Sequence, residues 1–220
     1  MDAASSVGDR RAMTADDARR RFDDATAAHL TAPLGDGVTI RSCDAPGWKA
    51  VADPLWADDP RPPPPIGSLY PPEAAARLAD LAAVQGEPLA HRLVFEHGGE
   101  PVGAYFGLQE SFGRYFMAST VFRRDFQRRG LYRALLPRIV AACVDAGFVE
   151  IYSRHRADNN PILVPKLRQG FTIAGFEVSP RYGLLVHLRR YLIDGVDALF
   201  HYRFDGTGAA TLRAAGMSLP

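Results

Sequence analysis

Phe122-Arg-Arg-Asp-Phe-Gln-Arg-Arg-Gly-Leu-Tyr-Arg-Ala-Leu-Leu, residues 122–136, puts a strand end, an arginine-crowded turn with one glycine, and a helix start in immediate succession. The first amides of a helix have no intrahelical acceptor and lie at the positive end of its dipole, so a phosphate there receives several backbone hydrogen bonds. Gly130 lets the backbone come close to such a ligand; Arg128 and Arg129 add charge, and Arg123 and Arg124 lie on the approach. Downstream, Leu131, Leu135, Ile139 and Ala142 keep helical spacing and would pack the helix on a sheet. Pro137 removes an amide donor and crowds the carbonyl of Arg133, which predicts a kink or a displaced turn. Charge alone would make this segment a solvated loop; the order of elements is what points to an anion site.

Outward from the turn, residues 89–96 and 102–109 flank His97-Gly98-Gly99-Glu100 and form a hairpin, because the paired glycines supply positive φ. A third strand follows at 112–122, Gly147 closes the helix, and 148–153 is another strand. A short helix over 161–169, strands near 171–178 and 183–192, and a polar tail complete the chain. On the N-terminal side, a helix runs from Thr14 to about Leu30, a strand covers 37–43, and Asp44-Ala-Pro opens a helix through Trp48, Val51 and Leu55. Pro62 to Pro65 form a stiff spacer, and an Ala/Leu-rich helix spans 71–85. Residues 1–13 carry few large apolar groups and are expected to be mobile. The predicted class is mixed α/β (α+β), a largely antiparallel sheet with flanking helices, in a single domain over 14–210 with 211–220 as a tail.

Composition excludes more than it assigns. A formal charge of +1 gives no global field toward nucleic acid or an anionic membrane, so neither is expected as a partner. The longest apolar stretches fall far short of the roughly 20 residues that cross a bilayer, and the N-terminus lacks the apolar core of a secretory signal. Cys43 and Cys143 lie far apart within regular elements, which suits reduced thiols and a cytoplasmic location.

The turn resembles the coenzyme A pyrophosphate loop of the GNAT N-acetyltransferase superfamily, with the pattern Gln/Arg-x-x-Gly-x-Gly/Ala after a strand. Gln127, Gly130 and Tyr132 occupy its three named places; Tyr132 departs from the usual small residue, and Arg124 stands where proline is common. A second motif agrees with it: Asn159 and Gly170-Phe171, eleven residues apart, match the Asn, short helix and Gly-Phe of that superfamily. The two motifs are in register over residues 89–192. The resemblance implies a GNAT-like fold in which two strands part in a V. The pantetheine arm of acetyl-CoA would lie in the opening, bonded by backbone near Val121, Phe122 and Arg123 and by Asn159. Gln127, Arg128, Arg129, Gly130, Leu131 and Tyr132 would hold the pyrophosphate. The structural reading of Asn159 is a helix N-cap with Pro161 just inside, a role Asn160 could take instead.

The implied activity is acetyl transfer from acetyl-CoA to a primary amine of a small molecule or peptide, by direct attack in a ternary complex, with no metal and with room for a homodimer. The alternative is a GNAT-shaped coenzyme A-binding module without catalysis. The tyrosine that serves many relatives as proton donor is replaced by Lys166, which could act on the thiolate or be an ordinary surface lysine. The glutamate that some relatives use as base is replaced by Arg154, leaving Glu150, His155 and Glu110 as substitutes; His187 reads as packing. A buried Glu150 would have the raised pKa of a base. No Ser-His-Asp order, His/Cys metal spacing or GxGxxG fingerprint competes.

Overall fold

A computed structural model describes residues 14–57 and 66–219. The expected mobile segment 1–13 and the prolines at 62–65 lie outside the described residues. Helix α1, Ala15–His29, starts on a capping box in which Thr14 and Asp17 satisfy each other's backbone N–H. Strand β1, Val38–Ser42, and helix α2, Ala45–Ala57, follow. Helix α3, Pro72–Gln85, begins with proline in its first turn, where the missing N–H costs nothing. Strands β2, Ala90–His97, β3, Glu100–Ser111, and β4, Arg114–Phe122, form the meander expected from the Gly98-Gly99 turn, with both glycines at positive φ.

Helix α4, Leu131–Ala146, runs through Pro137 as one continuous helix, so the expected displaced turn does not form. Strand β5, Glu150–Arg156, helix α5, Asn160–Arg168, and strands β6, Thr172–Ser179, and β7, Gly183–Tyr191, come next. Where a polar tail was expected there are two helices, α6, Asp194–Phe204, and α7, Ala209–Ala214, and Leu212 is almost fully buried. Their apolar residues are too sparse for the periodicity to show, although Asp194 and Asp197 in the first turn and His201 and Arg203 in the last complement the helix dipole.

The seven strands form one sheet in the order β1-β2-β3-β4-β5-β7-β6, antiparallel throughout except for the β4–β5 pair. Helices α1 and α4 pack together over one face, tied by Arg21 Nε donating to the Ala146 carbonyl at 2.9 Å, and Phe22, Leu135 and Ile139 join Phe95, Tyr115 and Ile151 in the core. Helix α2 covers the other face, where Trp48 Nε1 donates to the Tyr105 carbonyl at 2.8 Å and its ring meets Phe106. Inside the core a polar chain crosses three strands: Tyr105 OH to Tyr115 OH at 3.2 Å, Tyr115 OH to His91 Nδ1 at 2.6 Å, and His91 Nε2 to Thr26 Oγ1 at 2.9 Å. Every member has a partner, which a buried polar group requires.

Candidate active site

The V is built by two local features. Strands β4 and β5 pair only at Arg114–Glu150, Tyr115–Ile151 and Phe116–Tyr152, and then separate. On its other edge β4 stays bonded to β3, but Phe106 pairs with Ser119 and Gly107 with Met117, so Ala118 is an extra, unpaired residue. Such a bulge bends the strand that carries it and raises its local twist. The bend falls two residues past the last β4–β5 pair. Gly103 lets β3 and β4 approach: a Cβ there would come within 2.8 Å of the Val121 carbonyl oxygen.

Past the bulge, β4 runs through Val121 and Phe122 into a 3₁₀ turn, Arg124–Phe126, and then into α4. The first intrahelical bond of α4 is Ala134 N–H to the Gly130 carbonyl, so Leu131, Tyr132 and Arg133 have amides without an intrahelical acceptor. Gly130 adopts φ +80°, and among the described residues none beyond its chain neighbours lies within 4 Å of where its Cβ would stand. Arg128 holds φ +63°, a left-handed conformation that costs a non-glycine residue roughly 1–2 kcal/mol. Strain of that kind is found where neighbouring structure enforces it.

One cleft of about 1090 Å³ collects these parts, with walls that include Thr120 to Arg124, Gln127, Arg128, Gly130 to Arg133, and Asn159 across the V. Asn159 stands at the N-cap position of α5, yet its side chain makes no capping bond; Asn160 is the first helical residue, so it does not take that role. The side chain of Asn159 is thereby left available to the cleft.

Two arginines of the turn have side-chain partners within it. Arg123 makes a two-toothed pair with Asp125, at 2.7 and 2.8 Å, and lies over the Phe126 ring. The Arg129 guanidinium also lies over the Phe126 ring, 4.6 Å from its centre, and lines an adjoining cleft with Leu34, Gly35 and Asp36. Gln127 Nε2 donates to the Phe122 carbonyl at 2.8 Å and so braces the turn. Residues that the motifs did not single out also line the main cleft: Leu55 and Trp56 from α2, and Ile162 and Pro165 from α5.

The acid and base candidates separate. Glu150 is buried at the closed end of the V, with Oε1 3.0 Å from Arg114 Nε and 3.1 Å from Arg189 Nε, at ion-pair distance without hydrogen-bond alignment. Two guanidiniums thus flank its carboxylate, and it lines neither cleft. Glu110 accepts a hydrogen bond from Tyr152 OH on the sheet face opposite the α4 core, and His187 is bonded to Glu177 at 2.9 Å rather than simply packed. His155 Nε2 contacts Ser153 Oγ at 2.9 Å, and burial, with the Lys166 charge as a lesser cause, drops its pKa to about 3. Lys166 is not a surface lysine: it is fully buried, with Nζ 2.6 Å from Ser153 Oγ, 3.3 Å from Met117 Sδ, and over the Phe171 ring. Burial carries its pKa well below the ordinary lysine value.

A family model described as the acetyltransferase (GNAT) family matches residues 52–171, more than half of the chain and including the Leu55 and Trp56 wall. Among solved structures, Ard1 from Thermoplasma volcanium is 18% identical, covers 71% of this chain and 99% of its own, and superposes with a TM-score of 0.51. A chimera of the spermidine N-acetyltransferase SpeG from Vibrio cholerae and hSSAT is 15% identical over 71% of this chain and 96% of its own, with a TM-score of 0.52. No curated protein matches the chain. At these identities the solved structures speak for the fold, and the family model, by its extent, for membership: the chain belongs to the GNAT acetyltransferase family.

Proposed function

We propose that the protein transfers an acetyl group from acetyl-CoA to a primary amine of a small molecule or peptide, both substrates being bound together. The observation that carries this reading is the meeting, in one cleft, of the α4 N-terminus, the unpaired inner edge of β4 and the uncapped Asn159. Amides of Gly130 to Arg133, with the Arg128 charge beside them, suit a pyrophosphate. Arg129 faces the adjoining cleft and supplies positive charge there. Backbone of Val121 to Arg123 and the Asn159 amide suit an extended pantetheine arm lying as an added strand.

Held in that register, the thioester carbonyl meets a strand amide near Val121, which stabilises the oxyanion that forms when the amine attacks. The acceptor enters from the α2 side, where Leu55 and Trp56 form part of the wall. A cytoplasmic location suits such a reaction and the two free cysteines. The test is calorimetric titration with acetyl-CoA followed by free-thiol release with a panel of primary amines. Saturable binding and acceptor-dependent thiol release support the reading. Tight binding with no release across the panel supports a coenzyme A-binding module instead, and absence of binding removes both.

A further inference from the structure

The two edges of the sheet are built differently. Strand β1 is five residues long, buries its apolar Val38 and Ile40, and leaves Thr39 and Arg41 exposed, with Arg41 Nε donating to Glu96 of the neighbouring strand at 2.9 Å. Strand β6, at the opposite edge, runs for eight residues and carries no lysine, arginine or proline. Its one charged residue, Glu177, is engaged within the chain by Arg154 at 3.3 Å and His187 at 2.9 Å. Cross-strand register places Ile173, Phe176 and Val178 of β6, with Leu184 of β7, on the face of the sheet where Val186 and Leu188 enter the core. Cover on that face stops short of the edge: Phe176 is 67% exposed, Val178 82% and Leu184 51%. The outer side of β6 is also a row of backbone N–H and C=O groups that no strand of the described residues pairs. A bulge at Ala174 interrupts the row near its start and leaves residues 175–179 as its regular part. Charge, proline or shortness usually blunts such an edge, because it is a template for another strand.

We propose that this edge is where the chain pairs with a second copy of itself, β6 against β6, antiparallel about a twofold axis, so that two sheets become one. A twofold interface must complement itself. Strand β6 does so because its outward residues are neutral and apolar: a copy meets no repulsion, and the same side chains serve both halves. One register is favoured. With Phe176 opposite Phe176 of the partner subunit, an aromatic pair sits on the axis, Val178 lies across from the small Ala174, and each Glu177 faces Gly175. A shift of one residue would set the two Glu177 carboxylates directly opposite each other, which is destabilising. Ile173, Phe176, Val178 and Leu184 together expose roughly 400 Å² per copy, within the range where an apolar patch marks an interaction site. Doubled, and with the paired backbone added, this approaches the total of about 1,000 Å² that a specific interface needs. The dimer is therefore expected to be weak, forming at micromolar concentrations.

The test is sedimentation velocity of the full chain from about 1 to 300 µM, for wild type and the double variant Phe176→Lys/Val178→Lys, with amide hydrogen exchange of wild type at the two ends of that range. Wild type should show a monomer–dimer equilibrium, and the double variant should weaken it by about tenfold or more while unfolding in urea like wild type at the lowest concentration, since both positions are exposed. Exchange of β6 amides should slow as the dimer forms, and that of β1 amides, at the other edge, should not. The exchange measurement needs no variant. A chain that stays monomeric throughout, a dimer that the double variant leaves intact, or a dimer whose β6 amides exchange as in the monomer overturns the proposal. Protection of β6 by an added amine-bearing peptide while the chain stays monomeric would give the edge to a substrate strand and overturn it equally.

Discussion

Lowering the pH from 7.5 to 5 should cost the fold about 2 kcal/mol through His91 alone. The ring is buried between Phe22, on which it stacks at 4.2 Å, and Tyr115, and burial depresses its pKa from 6.5 to about 3. In the unfolded chain the imidazole takes up a proton as the pH passes 6.5; in the folded protein it does so only near 3. Between those values the unfolded state binds more protons, so stability falls as pH falls, with full stability retained above 6.5. At pH 5 the unfolded histidine is about thirtyfold more often protonated than not, and RT times the logarithm of that ratio is the quoted cost, about 2 kcal/mol. His155, with its folded value also about 3, adds a similar loss over the same window, and the two should add because they share no partner. The assay is urea denaturation at half-unit steps from pH 4.5 to 8 for wild type and His91→Gln. Glutamine does not titrate and retains an amide that can meet Tyr115 OH or Thr26 Oγ1. H91Q should be less stable at pH 7.5, and its deficit should shrink by about 2 kcal/mol by pH 5. A deficit constant within about 0.5 kcal/mol over that range would mean that His91 is not held neutral, and the reasoning from burial would be refuted.

Three further outcomes follow from particular contacts. Gly130→Val should weaken acetyl-CoA binding more than tenfold in calorimetry, since its side chain would project into open cleft from a left-handed backbone; Gly86→Val, at φ +69° and outside the cleft, should show similar strain with unchanged affinity. Gly107→Ala should destabilise the fold by about 3 kcal/mol in thermal or urea unfolding, because its Cβ would stand 2.2 Å from Tyr115 OH in the buried polar chain, and overpacking a closed core is costly. Lys166→Met should raise stability at pH 7.5 by about 1–3 kcal/mol, because it removes a buried amine that must shed its proton to fold and fills the same space with an apolar side chain. That gain should narrow as pH rises toward 10.5, where the unfolded lysine also loses its proton; a gain independent of pH would refute the depressed ionisation.

What could be read from the chain alone was whatever short-range chemistry determines. Gly130 followed by Leu131, Leu135 and Ile139 signals a turn and a helix whatever lies elsewhere, and the Gly98-Gly99 turn sets its own hairpin. The departures come from partners distant in sequence. Glu150 does share a face with Tyr152, as strand alternation requires, but its arginines arrive from β4 and β7, and no local pattern announces them. The contact that both Arg123 and Arg129 make with the Phe126 ring was likewise not legible from the turn's charge pattern. Lys166 looked like any residue of a short helix, because its burial depends on where β4 and β5 cease to pair. A signal was present in the near absence of lysine from the chain, which makes each one worth explaining.

The vertex shows why the donor cleft and the candidate chemistry cannot be separated in this fold. A parallel strand pair that continued past Phe116 and Tyr152 would satisfy its own backbone and leave no edge for a substrate arm; the extra residue Ala118 prevents that, and the opening must then be filled on the core side. An apolar side chain would fill it at lower cost, since the Lys166 amine, taken out of water, meets one hydroxyl, a thioether and an aromatic face and, among the described residues, no counter-charge. Destabilising choices of this kind are concentrated where function needs a group that packing does not. The same residue is therefore expected to oppose stability and to serve turnover, and K166M should separate them: a more stable protein that still binds acetyl-CoA and does not release its thiol. A K166M protein more stable and equally active would leave the buried amine as a packing accident and move the search for the proton donor to Tyr132, whose hydroxyl burial holds well above the ordinary tyrosine pKa.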